Sequence, residues 1–245
     1  MRVLIPYRLD HVAVAVPALA EVTDLLVGEL GGIPAEGGPG LGFTGAQWRF
    51  LNGAHLEVLE PAGDPSGFLY RFLEQRGRGI HHVTFVVPDL ADAAERARAA
   101  GRAVVGYEDS LPSWKEAFLH PKSAHGLVIQ LAESHPELGG LWGPDFPFPA
   151  SPRPAVPAAR LEALRLNVHD LDRAATLWSE LLGGQAREES GVLAFRWHDS
   201  PLCIALQQDA AQPEGAVGLE FSCDRPLHFP ETDHPVLGAR LVQVG

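Results

Sequence analysis

The chain has 245 residues, 46% of them hydrophobic and 20% charged, enough to bury a large core in two domains or one large one. Nineteen basic residues against thirty-one acidic ones give a net charge of −12 with no basic run, which argues against nucleic acid or anionic membrane surfaces as partners. No apolar stretch reaches membrane-spanning length, MRVLIPYRLD does not read as a signal peptide, and Cys203 and Cys223 lack metal or redox spacing, so a cytoplasmic protein with inert thiols is expected.

In chain order, DHVAVAVPALAEVTDLLVGELGG, starting at Asp10, reads as a strand, a short turn and a helix that stops at Gly31. WRFL and HLEVLEP follow as strands. The same pattern returns from His81 in HHVTFVVPDLADAAERARAAG, where Pro88 and Asp89 start a helix and Gly101 stops it, before EAFLHP and LVIQLAE. Residues 136–157, dense in Pro and Gly, read as a linker. A third copy, EALRLNVHDLDRAATLWSELLGG from Glu162, has Asp170 and Gly183 as its helix signals and VLAFRW and PLCIALQQ after it. A fourth starts at AVGLEFSCD and is cut short. The unit is therefore one strand, one helix and three strands. The expected fold is α+β, built of tandem βαβββ modules: two complete ones over 1–135, the linker, and over 158–245 a third with a truncated fourth.

Side chains alternate faces along a strand, so parity decides which polar groups share a side. His11, Ala13 and Ala15 share one face, and aligning the copies matches His11 to His82 rather than His81. Glu57 and Gln130 take equivalent positions in the last strands of the first two modules. If the modules pair about a pseudo-twofold axis, His11, Glu57, His82 and Gln130 converge as ligands for one divalent ion, with Zn, Co, Ni, Mn and Fe all compatible. The third copy has Ala163 and Ala205 at these positions, so it carries the fold pattern without ligands and is expected to cover, brace or dimerise.

LDHVAVAVP, LEVLEP, FLEQRGRGIHHVTFVVPDL and FLHPKSAHGLVIQL together resemble the vicinal oxygen chelate superfamily, the glyoxalase and bleomycin-resistance group, and within it methylmalonyl-CoA epimerases. The resemblance spans most of residues 8–133. It implies paired βαβββ modules forming a cupped sheet around a divalent metal, and its metal ligands fall on His11, Glu57, His82 and Gln130. One departure bears on chemistry. The family's epimerases carry a proton-moving carboxylate where this chain has Gln130, and an amide cannot take a proton from carbon near neutral pH, although its carbonyl oxygen can still bind a metal. The strand AQWRFL, where some members place a further acid, offers Gln47, Trp48 and Arg49. Glu57 is then the remaining candidate base, acting while a metal stabilises an enediolate oxygen. The resemblance also sets the FLHPKSAHG loop beside the substrate. Lys122 on that loop, with Arg49 and the pocket aromatic Trp48, makes the expected substrate-binding set.

Three functions fit these residues. One is a metal-dependent isomerase or lyase of epimerase or glyoxalase type, acting on a small carbonyl or acyl-thioester substrate. Another is an Fe(II) dioxygenase, because His11, His82 and Glu57 amount to two histidines and a carboxylate. The third is a non-catalytic protein that binds or sequesters a small molecule, as the bleomycin-resistance members do.

Overall fold

The computed structural model describes residues 7–140, 142–189 and 191–245. Residues 1–6, part of the stretch read above for an export signal, lie outside them. The described strands fall into two sheets, of eight and six strands, with few helices, which is the expected α+β architecture.

The elements follow the repeat. β1 (Arg8–Ala15) leads through helical turns at Leu19–Val22 and Asp24–Glu29 to β2 (Ile33–Gly40), β3 (Phe43–Arg49) and β4 (His55–Pro61). After α1 (Phe68–Arg76) come β5 (Gly79–Val86), α2 (Leu90–Ala99), β6 (Val104–Glu108), β7 (Trp114–Leu119) and β8 (Val128–Ser134). The third copy is β9 (Arg160–Val168), α3 (Leu171–Ala175) running into a π-type turn at Thr176–Leu181, β10 (Gln185–Glu189), β11 (Val192–Arg196) and β12 (Cys203–Gln208). β13 (Gly215–Ser222) and β14 (Arg240–Gln243) then pair in parallel with no helix between them.

In each copy the first and last strands pair in parallel with the same offset. Ala13 faces Glu57, Thr84 faces Gln130 and Arg165 faces Ala205, each two residues beyond the aligned positions His11, His82 and Ala163. The helical segments begin and end as the sequence indicates. Asp89 and Asp170 accept from the backbone N–H of Asp92 and Arg173 at 2.9 and 3.0 Å, side-chain caps that satisfy donors left open at a helix start. Gly31, Gly101 and Gly183 take φ of 70°, 74° and 75°, the left-handed conformation that ends a helix without steric cost to glycine.

The first helix departs from the single α-helix that periodicity suggests. It is a 3-10 turn followed by a π turn, closed by Leu30 N–H donating to Leu25 O at 2.9 Å. The third copy ends alike, with Leu182 N–H on Leu177 O at 3.1 Å. Both turns precede a Gly-Gly pair.

The residues divide into two compact units. One takes the described residues within Met1–Asp10, His82–Gly140 and Ala163–Val217; the other takes His11–His81, Leu141–Glu162 and Gly218–Gly245. In the second unit the strands run β2-β3-β4-β1, and Ala13, Ala15 and Leu59 are buried with Leu69 of α1, with Phe43, Phe72 and Leu73 packed against them. In the first unit they run β5-β8-β7-β6, with α2 packed on β7 and β8. There Ala163, Ala194, Cys203 and Ala205 form a small apolar cluster on the third copy's equivalent face.

Candidate active site

β1 and β4 lie side by side, so the parity that turns His11 toward Ala13 and Ala15 also turns it toward Glu57. Its Nε2 lies 2.6 Å from Glu57 Oε2, and both side chains are buried. Gln47 stands opposite Glu57 on β3 and is buried on the same face. Two strongly polar groups and an amide thus occupy one patch of a face otherwise covered by alanine, leucine and phenylalanine. Buried polar groups on a strand stay there only where they find partners, and His11 and Glu57 partner each other.

In the other unit, β5 and β8 repeat that arrangement with different chemistry. His82 is buried with its ring 6.5 Å from Phe118, nearly perpendicular to it. Thr84 donates its hydroxyl to Gln130 Oε1 at 2.6 Å, and Gln130 Nε2 donates to Glu116 Oε2 at 2.7 Å. Glu116 also accepts from the Trp114 indole at 2.9 Å. A carboxylate therefore stands in direct contact with Gln130, supplied by β7. Reading the sequence misses it because Trp114, Lys115 and Glu116 run together without apolar alternation to assign them faces.

His81 belongs elsewhere. Its ring packs 4.9 Å from Phe72 and 5.7 Å from Phe68, and burial, reinforced by the charge of Arg76, pushes its pKa down to about 4. It is a neutral packing imidazole at ordinary pH.

His11, Glu57 and His82 each offer one buried ligand atom of the kind a divalent ion takes, and Gln130 offers an amide oxygen. These nitrogen and oxygen donors suit the first-row transition ions and give no reason to prefer one of them. Of the three residues read as contacting substrate, Trp48 lies on the opposite face of β3 from Gln47, buried with its ring 5.5 Å from Phe148. Arg49 is exposed at the end of β3, opposite His55. Lys122 sits exposed in the turn Pro121–Ser123, its backbone N–H on His120 Nδ1 at 3.2 Å. That turn is tied to the segment before β6, by Arg102 on Ser123 O at 2.6 Å and by Ala103 N–H on Ser123 Oγ at 3.1 Å.

Repeated strand-helix-strand units that set imidazole and carboxylate or amide groups at equivalent strand positions define a protein of the vicinal oxygen chelate type. A model of the glyoxalase-like domain matches residues 9–182, and the chain belongs to that family. The ethylmalonyl-CoA/methylmalonyl-CoA epimerase of Cereibacter sphaeroides is 34% identical over 134 residues, covering 51% of this chain and 97% of that protein. The mitochondrial methylmalonyl-CoA epimerase of Dictyostelium discoideum is 29% identical over 134 residues, covering 51% and 78%. A solved 4-hydroxymandelate synthase variant from Streptomyces coelicolor superposes with a TM-score of 0.63 over 90% of this chain and 72% of that one, at 16% identity, a likeness of fold alone.

Proposed function

We propose that this chain is an isomerase of the epimerase type that moves a proton at the carbon beside the carbonyl of a small acyl-CoA thioester. One divalent ion would be held by His11, Glu57, His82 and Gln130. The observation that carries this reading is the repeated register: the pair His11 and Glu57 and the pair His82 and Gln130 occupy the same places in two parallel strand pairs. Likeness to acyl-CoA epimerases over half the chain supports the substrate class. A bound ion would supply Lewis acidity at the thioester oxygen.

The chain's own residues do the rest. Inverting a stereocentre requires a proton to leave on one face and return on the other, so two proton-carrying groups are needed. Glu57 is the proposed first base, and Glu116, in contact with Gln130, the proposed second, replacing the carboxylate that position 130 lacks. Arg49 and Lys122 would meet the phosphates of CoA, and Trp48 would back the β3 strand from its buried side. Residues 1–135 would then carry the chemistry and 158–245 brace it, with 136–157 between. That Cys203 and Cys223 are not joined in a disulfide suits the reducing cytoplasm. Among the described residues no helix is long and apolar enough to cross a membrane.

A second reading is favoured by one feature: His11, His82 and Glu57 make the two-histidine, one-carboxylate set of Fe(II) oxygenases. Solvent-deuterium exchange into methylmalonyl-CoA at high protein concentration, with each candidate metal added, separates the two. Exchange supports the epimerase; its absence with every metal rejects it, and iron content with oxygen uptake would point to the oxygenase.

A further inference from the structure

The Pro/Gly-rich segment that follows β8 grips the free edge of β2 from both faces. Gly37 and Gly143 exchange backbone hydrogen bonds of 3.2 and 3.1 Å, so the segment pairs with the edge strand at one point. On the face of Ala46 and Trp48, the Phe146 ring fills the space a Cβ on Gly37 would need, and Phe148 packs edge-on against Trp48. On the other face lies Trp142. Its indole donates to Pro39 O at 3.2 Å and meets Phe43 edge-on, with ring centroids 6.5 Å apart.

That second face is the one that carries Glu57. A Cβ built on Gly45 would collide with Cη2 and Cζ2 of Trp142 and would stand 3.1 Å from Glu57 Oε1. The indole edge and the carboxylate therefore border the same small space, with glycine beneath it. Gly45 has no left-handed backbone angle to explain it; what the position requires is room for the indole. An indole held on both a hydrogen bond and an aromatic contact, on a segment anchored across the strand edge, is a preformed wall rather than a loose flap.

We propose that Trp142 is a specificity-determining residue: it walls the space beside Glu57 and limits the size of the group carried by the reacting carbon. The proposal rests on the reading that Glu57 lies in the substrate site. Its physical basis is a flat, apolar, poorly compressible side chain next to a carboxylate, where one added methylene in the ligand must displace the ring or be rejected.

Two measurements test it. In a Cys203→Ala, Cys223→Ser background, Glu57→Cys provides one thiol at the walled position, and its alkylation by iodoacetamide and by the bulkier N-benzylmaleimide is timed with and without Trp142→Ala. Gln47→Cys, opposite Glu57, serves if the first variant does not fold. We expect Trp142→Ala to speed the bulky reagent about tenfold more than the small one; equal acceleration of both, or none, overturns the proposal. This assay needs neither metal nor turnover, so it decides the wall even if acyl-CoA chemistry is absent. In the exchange assay, Trp142→Ala is expected to shift kcat/KM about tenfold toward ethylmalonyl-CoA over methylmalonyl-CoA, and an unchanged ratio overturns the proposal. Absence of exchange with both esters in both proteins counts against the epimerase reading alone.

Discussion

The side-chain amide of Gln130 donates to Glu116 at 2.7 Å while its carbonyl oxygen accepts from Thr84 at 2.6 Å. An ionised carboxylate only accepts, so Glu116 dictates which end of the amide is nitrogen and leaves the oxygen, the one atom a metal would take, on the Thr84 side. Replacing Glu116 by Ala leaves the buried amide N–H and the Trp114 indole without their acceptor. The expected loss is about 1–3 kcal/mol in urea unfolding, with Glu116→Gln losing less because it keeps an acceptor oxygen. Equal stability of Glu116→Ala and the wild type would show that the pair does not order this strand.

If His11, Glu57, His82 and Gln130 share an ion, metal and fold are linked. At a free metal concentration near a hundred times Kd, binding adds about 2.7 kcal/mol to stability. Purified protein is expected to carry close to one ion per chain by elemental analysis, and stripping it with a chelator should lower the melting temperature. His11→Ala should abolish both the ion and the shift. A melting temperature indifferent to metal and chelator would leave these residues as a hydrogen-bonded polar core.

The pairing of His11 with Glu57 could be read in advance because valine-rich strands with strict alternation fix parity, and the third copy, with Ala163 and Ala205 in their places, separates the polar pair from what the fold itself needs. Glu116 could not: β6 and β7 slip in register between Val105 and Glu108, and the surrounding residues have no period to assign a face. Trp142 was hidden for a different reason. A Pro/Gly-rich segment has no periodic pattern, and the one available signal was three aromatic residues, at 142, 146 and 148, that a solvated linker would not need. The broken first helix follows from its own residues, since Val22, Thr23 and Val27 resist a regular α-helix and Gly28 makes room for Pro152.

Glu133 closes the second module as Glu60 closes the first. Each reaches from the end of its module's last strand to the backbone N–H at the head of the helical segment, Glu133 to Leu90 at 2.8 Å and Glu60 to Leu19 at 2.6 Å. Burial alone would raise the Glu133 pKa, but the Leu90 N–H, Lys115 at 2.6 Å and His135 at 2.9 Å overcome it and hold the carboxyl down at about 2 from its ordinary 4.5. The folded state thus favours the ionised form. Its contribution is complete above pH 4.5 and drains away as pH falls from there toward 2. Glu133→Gln should cost about 1.5 kcal/mol near neutral pH, and the gap to wild type should close on acidification through that window. A gap independent of pH would assign the loss to packing.

Beside the Arg102 and Ala103 bonds, the turn carrying Lys122 is tied by Glu214, the residue just before β13. His125, fully buried with φ of 51°, sets its Nδ1 2.9 Å from Glu214, while its Nε2 is buried with no hydrogen-bond partner among the described residues. Next to it Gly126 has φ of 76°, and a Cβ there would collide with the Glu214 carbonyl oxygen. Glu214 also accepts from His169 N–H at 3.0 Å, so it joins the start of β13 to both the turn and the end of β9. Glu214→Ala would leave a buried imidazole with no partner at either nitrogen, and should cost about 1–3 kcal/mol. Glu214→Gln, which keeps an acceptor for Nδ1–H, should recover most of it. If the turn positions Lys122 for a CoA phosphate, Glu214→Ala should also raise KM for the thioester with kcat little changed and speed proteolytic cleavage between Pro121 and Gly126. Loss of stability with KM and cleavage both unmoved would make Glu214 a structural tie that does not reach the substrate loop.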